Sequence, residues 1–144
     1  MTRLQSVTGS DYEALAEFRY QIRRFLHFSE TAARGAGLEP QQHQLLLAVR
    51  GFRGQEPPSV GVLAERLQIQ HHSAVELVDR LVERGLVARS REPSDRRHVL
   101  VGLTARGESE LEKLTAYHLE ELRMTAPALV EALEAVVRRK HGSE

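Results

Sequence analysis

The sequence predicts a mainly helical protein interrupted by one small β-hairpin. Apolar residues recur at three- and four-residue steps along stretches near both ends of the chain. Two short helical segments near the middle are separated by only three residues. Two β-rich runs flank a segment rich in Pro, Ser, Asp and Arg.

Taken in order, Ser10-Asp11-Tyr12-Glu13 reads as a capping box, with a hydroxyl for the amide three residues on and a carboxylate reaching back. Leu15, Phe18, Ile22, Phe25, Leu26 and Ser29 then mark one stripe of a helix of about six turns, which Gly35 and Gly37 end. Pro40 opens a second helix, where a missing amide costs nothing. Its Leu45, Leu46, Leu47 and Val49 predict burial on nearly all sides. Residues 51–58, rich in Gly and Pro, form a loop.

Ser59 caps a short helix holding Val60, Val62, Leu63 and Leu67; Gln68-Ile69-Gln70 turns the chain, and a further helix runs over about 71–84 until Gly85 stops it. This is the spacing of a helix-turn-helix, with Gln68 where glycine is usual. Residues 86–89 and 98–103 are the two strands of the hairpin, and its tip is rich in arginine. Thr104 caps a long helix with Leu111, Leu114, His118 and Leu122 on one stripe. Thr125 and Pro127 restart a last helix that turns Leu129, Leu133, Val136 and Val137 inward. Its closing Arg138-Arg139-Lys140 complements the helix dipole.

Composition narrows the function. With 144 residues the chain can bury about two-thirds of the surface its unfolded form exposes, so it needs no disulfide or metal staple. It contains no cysteine, which excludes a disulfide scaffold, a thiolate zinc site, an iron–sulfur cluster and thiol-based sensing. No apolar run reaches membrane-spanning length and the first residues lack a signal-peptide core, so a cytoplasmic protein is expected. Twenty basic residues balance twenty acidic ones, but unevenly along the chain. Residues 80–106 hold seven arginines against three acids, and residues 107–134 hold seven glutamates against Lys113 and Arg123. Such a split suits one face for an anionic partner and another that avoids it.

Helix, helix, helix-turn-helix, hairpin, long helix is the order of a winged helix-turn-helix with helices added at both ends. The chain resembles the MarR family of bacterial transcriptional regulators. The resemblance is carried by Leu63-Ala64-Glu65-Arg66-Leu67, by Val78-Asp79-Arg80-Leu81-Val82-Glu83-Arg84-Gly85-Leu86-Val87, and above all by Asp95-Arg96-Arg97 followed by Val99-Leu100-Val101-Gly102-Leu103-Thr104-Ala105-Arg106-Gly107. It covers about residues 12–137 and implies dimerisation helices at 10–37 and 107–140 around a DNA-binding lobe at 40–106. It also implies that Arg97 enters a minor groove while Asp95 orients it, and that Arg89 supports DNA contact.

The residues themselves fit that role. On a helical wheel of 71–84, Ala74, Leu77, Val78, Leu81 and Val82 share one side, while His72, Glu76, Asp79 and Glu83 take the other, flanked by Ser73 and Arg80. His72, Ser73 and Glu76 are best placed to read base edges, and the helix amides near His71 can meet a phosphate. The helix is net acidic, so phosphate attraction falls to Arg89, Arg91, Arg96 and Arg97 of the wing. The alternative for each of these residues is a solvated face or a surface ion pair.

Seven histidines raise the question of a metal, but none form a ligand pair on one helix face, and His71 and His72 point apart. His43, on an apolar helix, reads as a core histidine. No phosphate loop, nucleophile elbow or metal-hydrolase motif is present, so an enzyme is not expected and no cofactor is. The expected function is a homodimeric regulator, a repressor, on a pseudo-palindromic duplex operator, with release by a small aromatic effector as a further expectation. Arg19, Phe25, His27, Phe28 and Leu46 are the candidate pocket, and the resemblance implies a ligand between the dimer helices and the DNA-binding lobe. The alternative is a winged-helix module that binds protein without specific DNA binding.

Overall fold

The computed structural model of the protein describes residues 6–95 and 97–138. Among them the chain forms α1 (Gly9–Gly35), α2 (Pro40–Arg50), α3 (Val60–Leu67), α4 (His71–Glu83), β1 (Val87–Arg91), β2 (Val99–Leu103) and α5 (Ala105–Arg138). The mainly helical fold with a hairpin wing is as the sequence predicts. The described chain divides into two compact units, residues 32–116 and the pairing of residues 6–31 with 117–138.

In Ala32–Ala116 the core is made by Leu45, Leu46, Leu63, Val78, Leu81 and Val101, all buried to 0% exposure. Each lies on the inward stripe of its helix or strand. Ser59 caps α3 as predicted, its hydroxyl accepting from the Val62 amide at 3.2 Å. Gln42 accepts from the Glu39 amide ahead of α2 and from Arg84 Nη1 at the end of α4, joining a helix start to a helix stop. The strands pair antiparallel, from Val87 opposite Leu103 to Arg91 opposite Val99. β1 therefore reaches two residues further toward the tip than predicted. Ser59 also bridges Leu100, and the Val101 amide donates to the Pro58 carbonyl at 2.9 Å, so the loop before α3 covers the other side of β2.

The helix-turn-helix bends at Gln68, the C-cap of α3, which holds a left-handed backbone (φ 56°, ψ 46°) that side chains other than glycine enter at a cost. Its side-chain amide donates to the Glu65 carbonyl at 2.8 Å, satisfying one of the orphan acceptors at the end of α3.

The segment Leu103-Thr104-Ala105-Arg106-Gly107 has a physical reason for its pattern. Thr104 Oγ1 donates to the Gly85 carbonyl at 2.7 Å and accepts the Gly107 amide at 3.0 Å, so one hydroxyl caps α5 and ties it to the end of α4. A Cβ on Gly107 would stand 2.0 Å from the Leu86 carbonyl oxygen, closer than any real contact. Only glycine fits there.

In the other unit, α1 and the second half of α5 pack through His118, whose Nε2 lies 2.8 Å from Ser29 Oγ, and through Phe28 against Tyr117, the rings tilted by 34° with centroids 5.0 Å apart.

Four expectations need correction. The helix begins ahead of Ser10: Asp11 Oδ2 accepts from the Thr8 amide at 2.8 Å and from the Thr8 hydroxyl at 3.3 Å, so Ser10 lies inside α1 rather than capping it. No final helix restarts at Thr125. α5 runs unbroken through Pro127, because proline removes a single amide donor while Leu122, Thr125, Ala126 and Leu129 continue one packed stripe. Leu47, expected buried, is 42% exposed because α2 packs only the face of Gln42, His43, Leu45, Leu46 and Val49. Lastly, Leu133 and Val137, expected to face inward, lie exposed. His43 is a core residue as read, 2% exposed.

Candidate nucleic-acid interface

The geometry of α4 follows from its two faces. Ala74, Leu77, Val78 and Leu81 are buried, which turns His71, His72, Glu76 and Arg80 to solvent and leaves Ser73 half-buried. The first turn carries no acidic side chain, so the positive end of the helix dipole and its unbonded amides remain open to an anion. Sequence reasoning missed Val75, which is 37% exposed between His72 and Glu76. A β-branched residue just outside the core stripe was the available signal.

The wing is built on the same lobe. Its tip closes by backbone bonds: the Glu92 amide donates to the His98 carbonyl at 3.1 Å, and the His98 amide to the Asp95 carbonyl at 3.1 Å. Inside that turn Asp95 accepts from Arg97 three times, from its amide at 3.0 Å, from Nε at 3.1 Å and from Nη2 at 3.3 Å. The bidentate grip fixes the guanidinium, yet the Arg97 side chain is 89% exposed. The same hydrogen bonds hold the Asp95 carboxyl below its usual range, with the charge of His98 adding to the effect. Asp95 and Arg97 thus lie together as the sequence suggested, while Arg96 falls outside the described residues.

Arg89, on β1, forms an ion pair with Asp79 of α4. This couples the wing to the helix and neutralises one of the three acids on that helix. Arg91 is exposed at the end of β1. His98 lies between Glu92 (Nδ1 to Oε2, 3.4 Å) and Asp95 (Nε2 to Oδ2, 3.6 Å), a cluster that sequence reasoning did not assemble because its members face one another only once the turn is closed.

The candidate effector residues are not all brought together. Phe25 and Phe28 line a small cavity of about 50 Å³ with Gln21, Arg24, Leu122 and Thr125. Arg19 and His27 are exposed outside that lining, and Leu46 is fully buried in the core of Ala32–Ala116. Among the described residues no His, Asp and Glu cluster could hold a metal ion, and no helix is long and apolar enough to cross a membrane.

Comparison with known proteins places these features. The MarR family pattern matches residues 36–98. The HTH-type transcriptional regulator YcgE of Bacillus subtilis is 33% identical over 106 residues, covering 73% of this chain and 67% of that protein. A Thauera aromatica protein named as a transcriptional regulatory protein for the hcr operon is 29% identical over 96 residues; the match spans 67% of this chain and 56% of that protein. Among solved structures, the MarR family regulator AbsC of Streptomyces coelicolor superposes with a TM-score of 0.73 at 19% identity, covering 97% of this chain and all of that one. An Escherichia coli MarR mutant complexed with operator DNA gives 0.68 at 21% identity, covering 84% and 88% of the two chains. BpsR of Bordetella bronchiseptica, whose DNA binding is regulated by 6-hydroxynicotinic acid, gives 0.64 at 25% identity, covering 88% and 91%. The fold, the wing and the sequence agree: the chain belongs to the MarR family of winged helix-turn-helix transcriptional regulators, a family of regulators and not of enzymes.

Proposed function

We propose that the protein is a homodimeric repressor that binds a pseudo-palindromic duplex operator. The observation that carries this reading is Arg97, fixed by Asp95 yet 89% exposed at the end of the wing. An arginine so held suits the narrow minor groove, where phosphate potential concentrates. The open amino end of α4 then meets the adjacent major groove: His71 at a phosphate, His72, Ser73 and Glu76 at base edges, and Val75 against a thymine methyl. Arg80 and Arg91 flank these contacts, Arg96 adds charge to the wing, and Arg89 holds the wing to the helix through Asp79.

Dimerisation is supported by the apolar side chains that α1 and α5 leave uncovered. Tyr12, Leu15, Leu26, Met124, Leu133 and Val137 are each more than two-fifths exposed, a pattern usual for an unfilled interface. A pair of lobes about 34 Å apart would match one turn of duplex. Phe25 and Phe28, at their cavity, are the residues we assign to an aromatic effector that releases the protein from DNA; the BpsR example supports that chemistry.

Selection from a random duplex library, followed by sedimentation of the selected complex, tests the reading. Two chains on a site with inverted half-sites are expected. A lone chain without sequence preference would overturn it.

A further inference from the structure

We infer that His98 is a positioning residue for Arg97: its protonation draws Asp95 off the guanidinium and so tightens DNA binding as pH falls. The inference rests on the wing–DNA reading above and adds to it a proton acceptor outside the contact set.

The geometry begins with the turn. Two backbone bonds hold His98 at the base of the tip, its carbonyl accepting from Glu92 and its amide donating to Asp95. Those bonds aim each ring nitrogen at a carboxylate, Nδ1 at Glu92 and Nε2 at Asp95, at 3.4 and 3.6 Å. A neutral imidazole carries one N–H and can serve only one of them; an imidazolium carries two. Both distances are long for hydrogen bonds of a neutral ring and fall within ion-pair range of a charged one.

The oxygen that His98 faces is Asp95 Oδ2, the same atom that accepts from Arg97 Nη2 at 3.3 Å, the longest of the three Arg97 bonds. Nε and the amide of Arg97 share the other oxygen, Oδ1. Protonated His98 therefore competes for one edge of the grip and leaves the other intact. Arg97 stays oriented through Nε while Nη2 turns to the duplex. Charge acts in the same direction. With His98 neutral, the group of Glu92, Asp95 and Arg97 carries one net negative charge toward a polyanion; with His98 protonated, it carries none. Among the described residues, the other charged groups at this end of the hairpin are Arg91, paired across it with Val99, and the exposed Arg97 itself. Imidazole is the side chain whose ordinary titration range covers physiological pH.

The test uses fluorescence anisotropy with a duplex recovered by the selection above, at constant ionic strength, between pH 8 and pH 6. Wild type is expected to bind about tenfold more tightly at the lower pH, the change given by an average uptake of about half a proton on binding. His98→Gln is expected to bind like wild type at pH 8 and to lose most of that gain. In an Arg97→Ala background, His98→Gln should change nothing further. Because His98 is more than half exposed, the glutamine variant should fold; equal thermal melts at pH 8 check this. In the DNA-free protein, the ¹⁵N resonance of Arg97 Nε should move with the His98 titration. A flat wild-type profile in a protein that binds DNA overturns the inference and leaves the DNA reading standing. A gain that survives in His98→Gln assigns it to His71 or His72, and one that survives in Arg97→Ala assigns it to direct contact of His98 with phosphate; either overturns the positioning role. Failure of wild type to bind at any pH strikes the DNA reading itself.

Discussion

Arg89 of β1 is ion-paired with Asp79 of α4, so the wing and that helix are joined by a charge pair besides their apolar contacts. Both partners are more than a third exposed, so the pair adds at most about 1 kcal/mol to folding. Its larger effect is on geometry. Asp79→Asn should leave the urea midpoint nearly unchanged and weaken duplex binding about fivefold to tenfold, since a loosened wing loses register with the helix. A double-mutant cycle with Arg89→Lys, read by anisotropy, should show the two substitutions far from additive.

Gly107 is expected to be the least replaceable residue of the wing-to-helix junction. Alanine would place its Cβ 2.0 Å from the Leu86 carbonyl oxygen, which is backbone and cannot swing aside. A loss of about 3 kcal/mol in urea unfolding is predicted, at the upper end for overpacking. Gly102→Ala, where nothing lies within 4 Å of the added carbon, is the control and should cost far less.

At Gln68 the expected change is a gain. The residue holds φ 56°, so Gln68→Gly relieves left-handed strain while giving up the bond to the Glu65 carbonyl and adding freedom to the unfolded chain. We expect a net stabilisation of about 0.5 kcal/mol by chemical denaturation. Gln68→Val, β-branched at the same backbone angle, should destabilise.

Asp95 gives a pH dependence with a definite sign. Its carboxyl is held below the ordinary value of 3.8, first by the Arg97 side chain and then by the Arg97 amide. A carboxyl lowered in the folded state stabilises the fold above its unfolded pKa, and that contribution fades as pH falls through the folded value. Thermal melts of Asp95→Asn should therefore lie below wild type near pH 6 and converge with it in strong acid. A gap that widens on acidification would contradict the assignment.

Much of the fold was legible because it rests on local chemistry. The Ser59 cap, Pro40 at a helix start, the Gly85 stop and the β-rich run over residues 98–103 each act over a few residues, and each stands within a residue of where the sequence places it. What escaped depended on partners distant in sequence or on competition between near-equal local choices. Thr8 and Ser10 both offer a hydroxyl, and only Asp11 decides between them. Pro127 reads as a break, yet packing on both sides carries α5 through it. At the site, the relation of Asp95 to Arg97 was supplied by the family resemblance, and the pair forms within one turn. The Asp79–Arg89 pair and the His98 cluster were not legible, since each needs the hairpin closed before its members meet. The exposed stripe of α1 and α5 shows the remaining limit: periodicity finds an apolar face but does not say which chain covers it.

The most direct test of the account is the salt dependence of duplex binding by wild type and Arg97→Ala, measured side by side. Log affinity should fall steeply and linearly with log salt for wild type, because phosphate neutralisation releases counterions. Arg97→Ala, measured well below its melting temperature, should bind more weakly and lower that slope by about 0.9 per wing engaged. Equal slopes and affinities for the two proteins would contradict the claim that this arginine is the wing's contact with DNA.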